Sequence, residues 1–384
     1  MSQPQPADSL YEEIIDISDK ADLTLVVEEH ERVKSGFEEN SIDDTATKPL
    51  AKVGTFRVQR EKVARASPVF QAMLRKSWAE ASKSTVTLKG DNVRAMEIWL
   101  RFFHSTLETI AFACITIEVI WHLVMTADKY DIDCTKLTTW FASWFESEKP
   151  RGRDELYFKF AAQTLFPCFA FDYAEGIQIM TRTLAYNWPH HIHEINPTNE
   201  IKMHLPSRVI QQLNAAKGRL RTILHRGLFE HVCEIVDWAS CDCKERTVFR
   251  FLAELRRIKA WPLEDVMAKT SIKAILFRLG QFESSRMNVS DPSTGGVSCK
   301  CAINWDKVVR DAVQRVRNYF DGLCLDCMKS SKEVNFRRDD DNDYWNHDEP
   351  RDRYDTFCRI DHGEPTWYFS FMGRREKRGL IADS

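Results

Sequence analysis

The chain has 384 residues, a length that suits two or three domains of ordinary size, and its formal net charge is only -3. Hydrophobic residues make up 43% and charged residues 29%, which excludes wholesale disorder and is typical of a globular protein. The near-neutral charge also excludes a global attraction to nucleic acid or to an anionic membrane, so such binding would need a local basic patch.

The start of the chain is polar and acidic, without the basic and then apolar order of a signal peptide. The longest apolar stretch, residues 110–117, is too short to cross a bilayer. We therefore expect a protein of the cytoplasm, the nucleus or both, without membrane association. Cysteines stay reduced in these compartments, so closely spaced cysteines are better interpreted as metal ligands than as disulfides.

The first part of the chain predicts a flexible arm, a strand and a loop. Residues 1–20 are assigned to a flexible N-terminal arm, and an apolar strand is predicted at residues 23–27. Residues 28–50 are charged and polar with little periodicity, which predicts a solvated loop inserted into the first domain.

The pattern is more regular from residue 54 onward. Phe56 and Val58 alternate as in a strand, and apolar residues then recur every three or four positions from Val63. Ser67 followed by proline predicts a break and a second helix, because serine caps helices and proline suits their first turn.

Short strands and then helices complete this first domain. Residues 85–88 predict a strand, Asp91 is the predicted N-cap of the following helix, and Thr116 that of the next. Strands cluster early and helices late, so we predict an α+β domain over residues 21–147.

The remainder of the chain predicts a mainly α-helical region. Residues 154–282 show helical periodicity almost throughout, and residues 299–384 form a C-terminal region that contains most of the closely spaced cysteines. A further helix is predicted from about residue 305 to residue 320. Breaks in the helical region are predicted near its prolines, Pro167, Pro189, Pro197 and Pro206.

Taken as an ordered set, the elements of the first domain resemble a BTB/POZ domain over roughly residues 20–147. The sequences that carry the resemblance are DLTLVV at 22–27, FRVQREKVARASPVFQAML at 56–74, VTL at 86–88 and TADKYDI at 126–132. The positions of the family signature are Asp22, Phe56, Val58, Val63, Ser67, Phe70, Ala127, Asp128, Lys129 and Tyr130.

The resemblance implies a small sheet flanked by helices that binds other proteins, and hence an adaptor or scaffold without catalytic activity. The resemblance also allows a homodimer. We do not expect its swapped-helix form, because residues 10–18 offer too little chain for a long helix ahead of the first strand. A ubiquitin-ligase substrate adaptor is an alternative, although Thr106 stands where cullin adaptors carry an apolar residue before Glu108. The segments at 322–328 and 358–374 resemble fungal BTB proteins, which brings no activity with it.

Six cysteines after residue 230 form three tight pairs, and such pairs favour structural zinc because each supplies two thiolates per turn of chain. The preferred first site joins Cys241, Cys243, Cys299 and Cys301. A second joins Cys324 and Cys327 with Cys358 and His362, and His231 and Cys233 are substitutes. Closed sites of this kind stabilise a fold and leave no position for catalytic water.

Other candidate sites are weaker. The histidines at 190–193 lack the spacing of a zinc protease helix, and the acidic run at 339–343 lacks the glycine and glutamate of a calcium loop. Neither a phosphate-binding glycine loop nor a nucleophile elbow is present in the sequence.

A zinc-containing nuclear or transcriptional regulator is the other hypothesis, but we expect no nucleic-acid binding. Its basic candidates are Lys202, Arg208, Lys217, Arg219, Arg221, Arg226 and the tail at 374–378.

Overall fold

The structure is a computed structural model, and the part of the chain that it describes is residues 11–30, 50–75, 78, 80–150, 154–198, 203–287, 301, 303–331 and 358–360. The chain divides into two compact units. Unit one comprises residues 1–148 with 196–203, and unit two comprises residues 149–195 with 204–384. Among the described helices, none combines the length and apolar character needed to cross a membrane.

Unit one is α+β and contains a four-stranded mixed sheet. Its strands are β1 (Tyr11–Asp16), β2 (Leu23–His30), β3 (Leu50–Val58) and β4 (Thr85–Lys89). Their order across the sheet is β1-β3-β2-β4, with β2 antiparallel to β3, and with β1 parallel to β3 and β4 parallel to β2. Alternate residues of β2, including Leu25 and Val27, are fully buried, as the two-residue period of a half-buried strand requires.

The described part of unit one also contains five α-helices, of which the third packs on β2 and β3. They are α1 (Arg60–Ala66), α2 (Pro68–Arg75), α3 (Val93–His104), α4 (Ile117–Tyr130) and α5 (Thr138–Glu148). The predicted break at Ser67 is confirmed, because α1 ends before it and the Ser67 hydroxyl accepts a hydrogen bond from the amide of Phe70 (3.1 Å). Thr116 also caps α4 as predicted, accepting from the amide of Val119 (3.3 Å).

Three predictions in unit one differ from the structure. Of the predicted loop at 28–50, residues 28–30 continue β2 and residue 50 begins β3, while residues 31–49 lie outside the described residues. Residues 11–16 belong to the predicted flexible arm, yet they form β1, since pairing with β3 supplies the backbone hydrogen bonds that so short a segment cannot make alone. The cap of α3 is Asn92 rather than Asp91: the Asn92 side chain accepts from the amide of Ala95 (2.9 Å). Asp91 is drawn inward instead, where its carboxylate accepts from Lys129 and Tyr130.

Unit two is helical in its described part. Its helices are α6 (Asp154–Ala170), α7 (Ala174–Asn187), α8 (Ser207–Trp238), α9 (Lys244–Arg257), α10 (Leu263–Lys269), α11 (Ile272–Leu279), α12 (Trp305–Tyr319) and α13 (Leu325–Ser331). The long helix after Pro206 and the helix from Trp305 are both confirmed. The prediction of a break at Pro167 is wrong: this proline lies inside α6, three residues before its end, where the lost backbone donor affects only the last turn.

The core of unit two is built around α8, α9 and α12. Helices α8 and α12 approach closely at Gly227, where a β-carbon would lie 2.7 Å from that of Ala312. At the start of α12, the ring of Trp305 stacks on Phe251 of α9 with centroids 4.2 Å apart. These contacts join α8 to α12, and the middle of α9 to the beginning of α12, which Cys301 precedes.

Two of the basic residues of α8 are engaged within unit two, while Lys202 lies outside the described residues. Lys217 is 4% exposed and donates from its ammonium to the carbonyl of His190. Arg221 donates to the carbonyls of Pro189 (3.1 Å) and Met267 (2.7 Å). These two cations satisfy backbone carbonyls within unit two, so they are not available as a phosphate-binding stripe.

Candidate metal centres

The first group of cysteines, cluster one, lies where two segments of unit two meet. Cys241 and Cys243 occupy the turn between α8 and α9, and Cys301 lies four residues before α12. The turn is shaped by a backbone hydrogen bond from the amide of Lys244 to the carbonyl of Cys241 (3.4 Å), while Cys243 occupies the N-cap position of α9. The three sulfur atoms lie within 4.8 Å of one another, and those of Cys241 and Cys301 are 3.2 Å apart.

The second group, cluster two, consists of Cys324, Cys327 and Cys358. Cys324 immediately precedes α13 and Cys327 lies in its first turn, so the spacing of three residues places both thiols on one side of the chain. Cys358 comes from a segment 31 residues further along, and its sulfur is 3.5 Å from that of Cys327. The three sulfur atoms again lie within 4.8 Å of one another, and Cys324 and Cys327 are buried.

An ion-pair network holds Cys358 beside α13. Arg359 directly follows Cys358, and its backbone amide (2.8 Å) and guanidinium (2.6 Å) both donate to the carboxylate of Asp326. The same guanidinium donates to Asp172 (2.8 Å), which also accepts from Lys329 of α13 (2.5 Å). One arginine thus joins the turn after α6, helix α13 and the segment that carries Cys358.

The segment before α13 is fixed on α7 by close backbone contact. Gly322 has a φ of +100°, and a β-carbon there would lie 2.2 Å from the carbonyl oxygen of Gln178. The next amide, that of Leu323, donates to the hydroxyl of Thr181 (2.8 Å), and both residues are buried. Glycine is therefore required for the chain to reach the position from which Cys324 points into cluster two.

The pKa values around cluster two reflect crowded thiols and a strong ion pair. The hydrogen bond with Cys324, together with burial, raises the pKa of Cys327 far above its usual range. Burial raises the pKa of Cys358 to about 12. Burial opposes ionisation of Asp326, but its hydrogen bonds with Arg359 outweigh that effect and lower its pKa. The thiols of Cys327 and Cys358 thus favour their neutral forms until a cation supplies compensating charge.

Both clusters have the dimensions of a thiolate metal site. Tetrahedral coordination with metal–sulfur bonds of about 2.3 Å places neighbouring sulfurs about 3.8 Å apart. The measured separations of 3.2 and 3.5 Å, with every sulfur within 4.8 Å of the others, are close to that edge length. The cysteines are free thiols, so no disulfide occupies either cluster. Each cluster could hold a metal ion.

The sequence-predicted ligands separate into three groups. Six of them meet in the two clusters, in the predicted pairings, while Cys299 and His362 lie outside the described residues. Of the substitutes, His231 is engaged with Glu234 (2.8 Å) and Cys233 is exposed, and neither joins the two clusters found among the described residues.

Of the remaining candidate segments, the structure describes the histidine segment at 190–193. The histidine segment docks on α8, because the amide and carbonyl of Ile192 are bonded to the Asn214 side chain (2.8 and 2.9 Å). Among the described residues no metal-binding group includes its histidines. The acidic run at 339–343 and the basic tail at 374–378 lie outside the described residues.

Sequence reasoning missed the residues that support the clusters. Asp172 lies more than 150 positions before Lys329 and Arg359, in the left-handed conformation that closes α6 (φ +57°), and nothing in its local sequence indicates a role. Arg359 and Asp326 did carry a signal, since each adjoins a predicted ligand. An arginine beside one cysteine and an aspartate within the other pair are natural partners across a closed site.

Comparison with known proteins adds no assignment at this point. The chain matches no protein-family model, and no curated protein matches it significantly.

Proposed function

We propose that this chain is a protein-interaction adaptor or scaffold, that residues 21–147 form its BTB/POZ domain, and that it has no catalytic activity of its own. The observation that carries the proposal is the convergence of residues from distant parts of the BTB resemblance. The Ser67 hydroxyl donates to the carbonyl of Tyr130, and the ring of Phe70 stacks on Tyr130 with centroids 4.4 Å apart. Residues selected by the resemblance thus pack as one structural unit.

Other signature residues occupy structural positions that fit the same proposal. Phe56 and Val58 of β3 and Val63 of α1 are fully buried, and Ala127 is buried on α4. Asp22 is exposed, and its carboxylate accepts from the amide of Arg60 (2.7 Å), joining the start of β2 to α1. Lys129 reaches Asp91, while Asp128 is exposed. An ordered α+β unit of this kind supports a binding module.

The surface of unit one offers a specific element for protein binding. Strand β1 lies at one edge of the described sheet, and its Ile14 side chain is 65% exposed. An edge strand with an exposed apolar residue is suited to pairing with another chain, since its outer backbone groups have no partner within the sheet. We propose that partners contact this edge.

Affinity capture with the full-length chain tests the proposal. We expect the wild-type protein to retain a defined set of protein partners, and Ile14→Asp to lose them, because a charge at the edge disfavours strand pairing. Phe249→Asp is the matched control, since Phe249 is also an exposed apolar residue but belongs to unit two. Partners that survive Ile14→Asp, or a wild-type protein that captures none, would contradict the proposal.

We further propose that both cysteine clusters bind structural zinc. Thiolate ligands at tetrahedral spacing suit zinc, and an ion in cluster one would join chain positions 60 residues apart. Because the ligands come together only in the folded chain, an ion bound there stabilises unit two relative to its unfolded state. Cys299 and His362 remain the predicted fourth ligands.

Metal analysis of the purified protein tests the zinc proposal. We expect two equivalents of zinc in the wild type, and about one in each of Cys241→Ser and Cys324→Ser, because serine does not replace a thiolate ligand. Cys233→Ser is the control and should keep both equivalents. A wild-type protein without stoichiometric zinc contradicts this proposal while leaving the adaptor proposal untouched.

A further inference from the structure

Two cysteines of cluster one lie close to bonding distance. The sulfur atoms of Cys241 and Cys301 are 3.2 Å apart. A disulfide has a sulfur–sulfur bond of about 2.05 Å, so these two atoms need to approach by only about 1.1 Å to form one. Both residues lie in connections, Cys241 between α8 and α9 and Cys301 before α12, where the backbone can adjust without disrupting a helix. The pair is therefore placed for a covalent bond as well as for sharing an ion.

Solvent reaches cluster one through the turn that precedes α9. Cys241 and Cys243 are half-buried, and Asp242 between them is exposed. Cys301, by contrast, is buried. An accessible sulfur beside a sheltered one is the arrangement in which a thiol oxidised by a small molecule is captured as a disulfide before it is oxidised further.

Cluster two is more enclosed and more firmly held. Two of its three sulfurs, those of Cys324 and Cys327, are buried, and only the half-buried Cys358 among its described cysteines gives access. The segment of Cys358 is fixed to α13, because the Arg359 amide and guanidinium both donate to Asp326. Oxidation there requires local opening of this network, so we expect it to be slower than at cluster one.

Hydrogen peroxide is an oxidant of suitable size, and it accepts the two electrons that a disulfide releases. A ligand cysteine is deprotonated, and the thiolate is its reactive form. The Cys241 sulfur attacks one peroxide oxygen: a sulfur–oxygen bond forms, the oxygen–oxygen bond breaks and hydroxide leaves, which gives a sulfenic acid. The Cys301 sulfur then attacks that of Cys241, so that the sulfur–sulfur bond forms as the sulfur–oxygen bond breaks. The second hydroxide leaves, and both hydroxides take protons from solvent to become water.

We propose that Cys241 and Cys301 are a peroxide-sensitive thiol pair, and that their disulfide releases the ion from cluster one. A sulfur in a disulfide is no longer a thiolate ligand, so oxidation removes two of the three described ligands at once. The release of an ion rests on the zinc proposal above, whereas the disulfide itself does not. A dithiol reductant regenerates both thiols and so restores the site.

The disulfide would join the same two segments that the ion joins. It would close the chain between positions 60 residues apart. A cross-link over a loop of that length commonly stabilises a folded protein. Oxidation thus exchanges an ion for a covalent bond, and we expect unit two to stay folded when the ion leaves.

Peroxide titration of the full-length, zinc-containing protein tests the proposal with two readouts. A chromogenic chelator measures the zinc released, and mass spectrometry after alkylation of the remaining thiols identifies cross-linked peptides. We expect about one equivalent of zinc to leave as the Cys241–Cys301 disulfide appears, since the other equivalent belongs to the more enclosed cluster two. Dithiothreitol with added zinc should reverse both changes, and circular dichroism should show that the helices are retained.

Substitutions and a second preparation assign the reaction to this pair. Cys301→Ser removes the sulfur that captures the sulfenic acid, so the reversible disulfide should be lost. Cys327→Ser in cluster two is the matched control and should leave that disulfide in place. Wild-type protein purified without added zinc gives an independent test, because Cys241 and Cys301 should still form their disulfide even if the zinc proposal fails.

Three results would overturn the inference. Peroxide could oxidise the exposed Cys114 without producing the Cys241–Cys301 disulfide. The disulfide at cluster one could join Cys243 to one of the pair instead. Zinc could also leave both clusters together with a loss of helical signal, which would show oxidative unfolding rather than a reaction of one thiol pair.

Discussion

Arg359 binds the carboxylate of Asp326 through both its backbone amide and its guanidinium. Each of these two residues is the chain neighbour of a cysteine of cluster two. The Arg359 amide and guanidinium each donate to the Asp326 carboxylate, at 2.8 and 2.6 Å. Because Cys358 precedes Arg359 and Cys327 follows Asp326, this pair fixes the approach of the two thiols. The cluster is thus built partly by an ion pair that contributes no ligand.

We predict that Arg359→Gln weakens metal binding by cluster two. Removing the guanidinium releases both Asp326 and Asp172, and loss of such supporting contacts lowers metal affinity by about 10- to 100-fold. The measurement is the rate of zinc transfer to a chromogenic chelator, made in a Cys241→Ser background so that cluster two alone is observed. Arg286→Gln, which breaks an exposed ion pair with Glu283, is the control. An unchanged transfer rate would refute the role of Arg359.

Gly322→Ala should destabilise unit two by about 3 kcal/mol, because alanine is strained at a φ of +100° and its β-carbon would clash with the carbonyl of Gln178. Urea unfolding measures the change. Gly218→Ala is the control: it lies in α8 with no atom within 4 Å of the new β-carbon, so it should stabilise by about 0.5–1 kcal/mol. Equal effects of the two substitutions would contradict the close approach at Gly322.

Tyr130→Phe should destabilise unit one by about 1–2 kcal/mol. The Tyr130 hydroxyl donates to the buried carboxylate of Asp91 (2.7 Å). Without it, Lys129 (2.8 Å) is the side-chain donor that this carboxylate keeps among the described residues. Burial and the nearby charge of Asp91 raise the pKa of Tyr130, so the hydroxyl remains a donor at neutral pH. Chemical unfolding of the variant is compared with Tyr157→Phe, which removes a hydroxyl from unit two. A loss no larger than the control's would contradict this account.

His104 should make unit one less stable at acidic pH. The amide of Gln59 donates to its Nε2 (3.0 Å) and its Nδ1 bonds the carbonyl of Leu100 (2.7 Å), an arrangement that requires the neutral ring. Burial lowers the pKa of His104 below its ordinary value of 6.5. The unfolded chain therefore binds more protons below pH 6.5, and the free energy of unfolding falls as the pH falls through that range.

Hydrogen exchange of α3 measures this effect, after correction for the intrinsic pH dependence of exchange. We expect amide protection in residues 93–104 to decline between pH 7.5 and pH 5.5 in the wild type. His104→Gln, which cannot gain a proton, should show a smaller decline even if it is less stable throughout. Identical pH profiles for the two proteins would remove His104 as the cause.

The sequence by itself determined the features that depend on neighbouring residues. Helical and strand periods, the break at Ser67, the cap at Thr116 and the tight cysteine pairs all reflect contacts within a few positions of chain, which the order of residues directly encodes. The prediction of Asp91 as the cap of α3 was wrong, because the position of its side chain depends on where Lys129 and Tyr130 lie.

Only the tertiary structure decided which distant segments meet. Residues 11–16 become a strand because β3 is available beside them, and Cys301 and Cys358 reach their partners across 60 and 31 residues of chain. The same holds for Asp172, which has no local signal and acquires its role from Arg359. Contacts of this range are set by the packing of the whole unit, since no local pattern specifies which segments its core brings together.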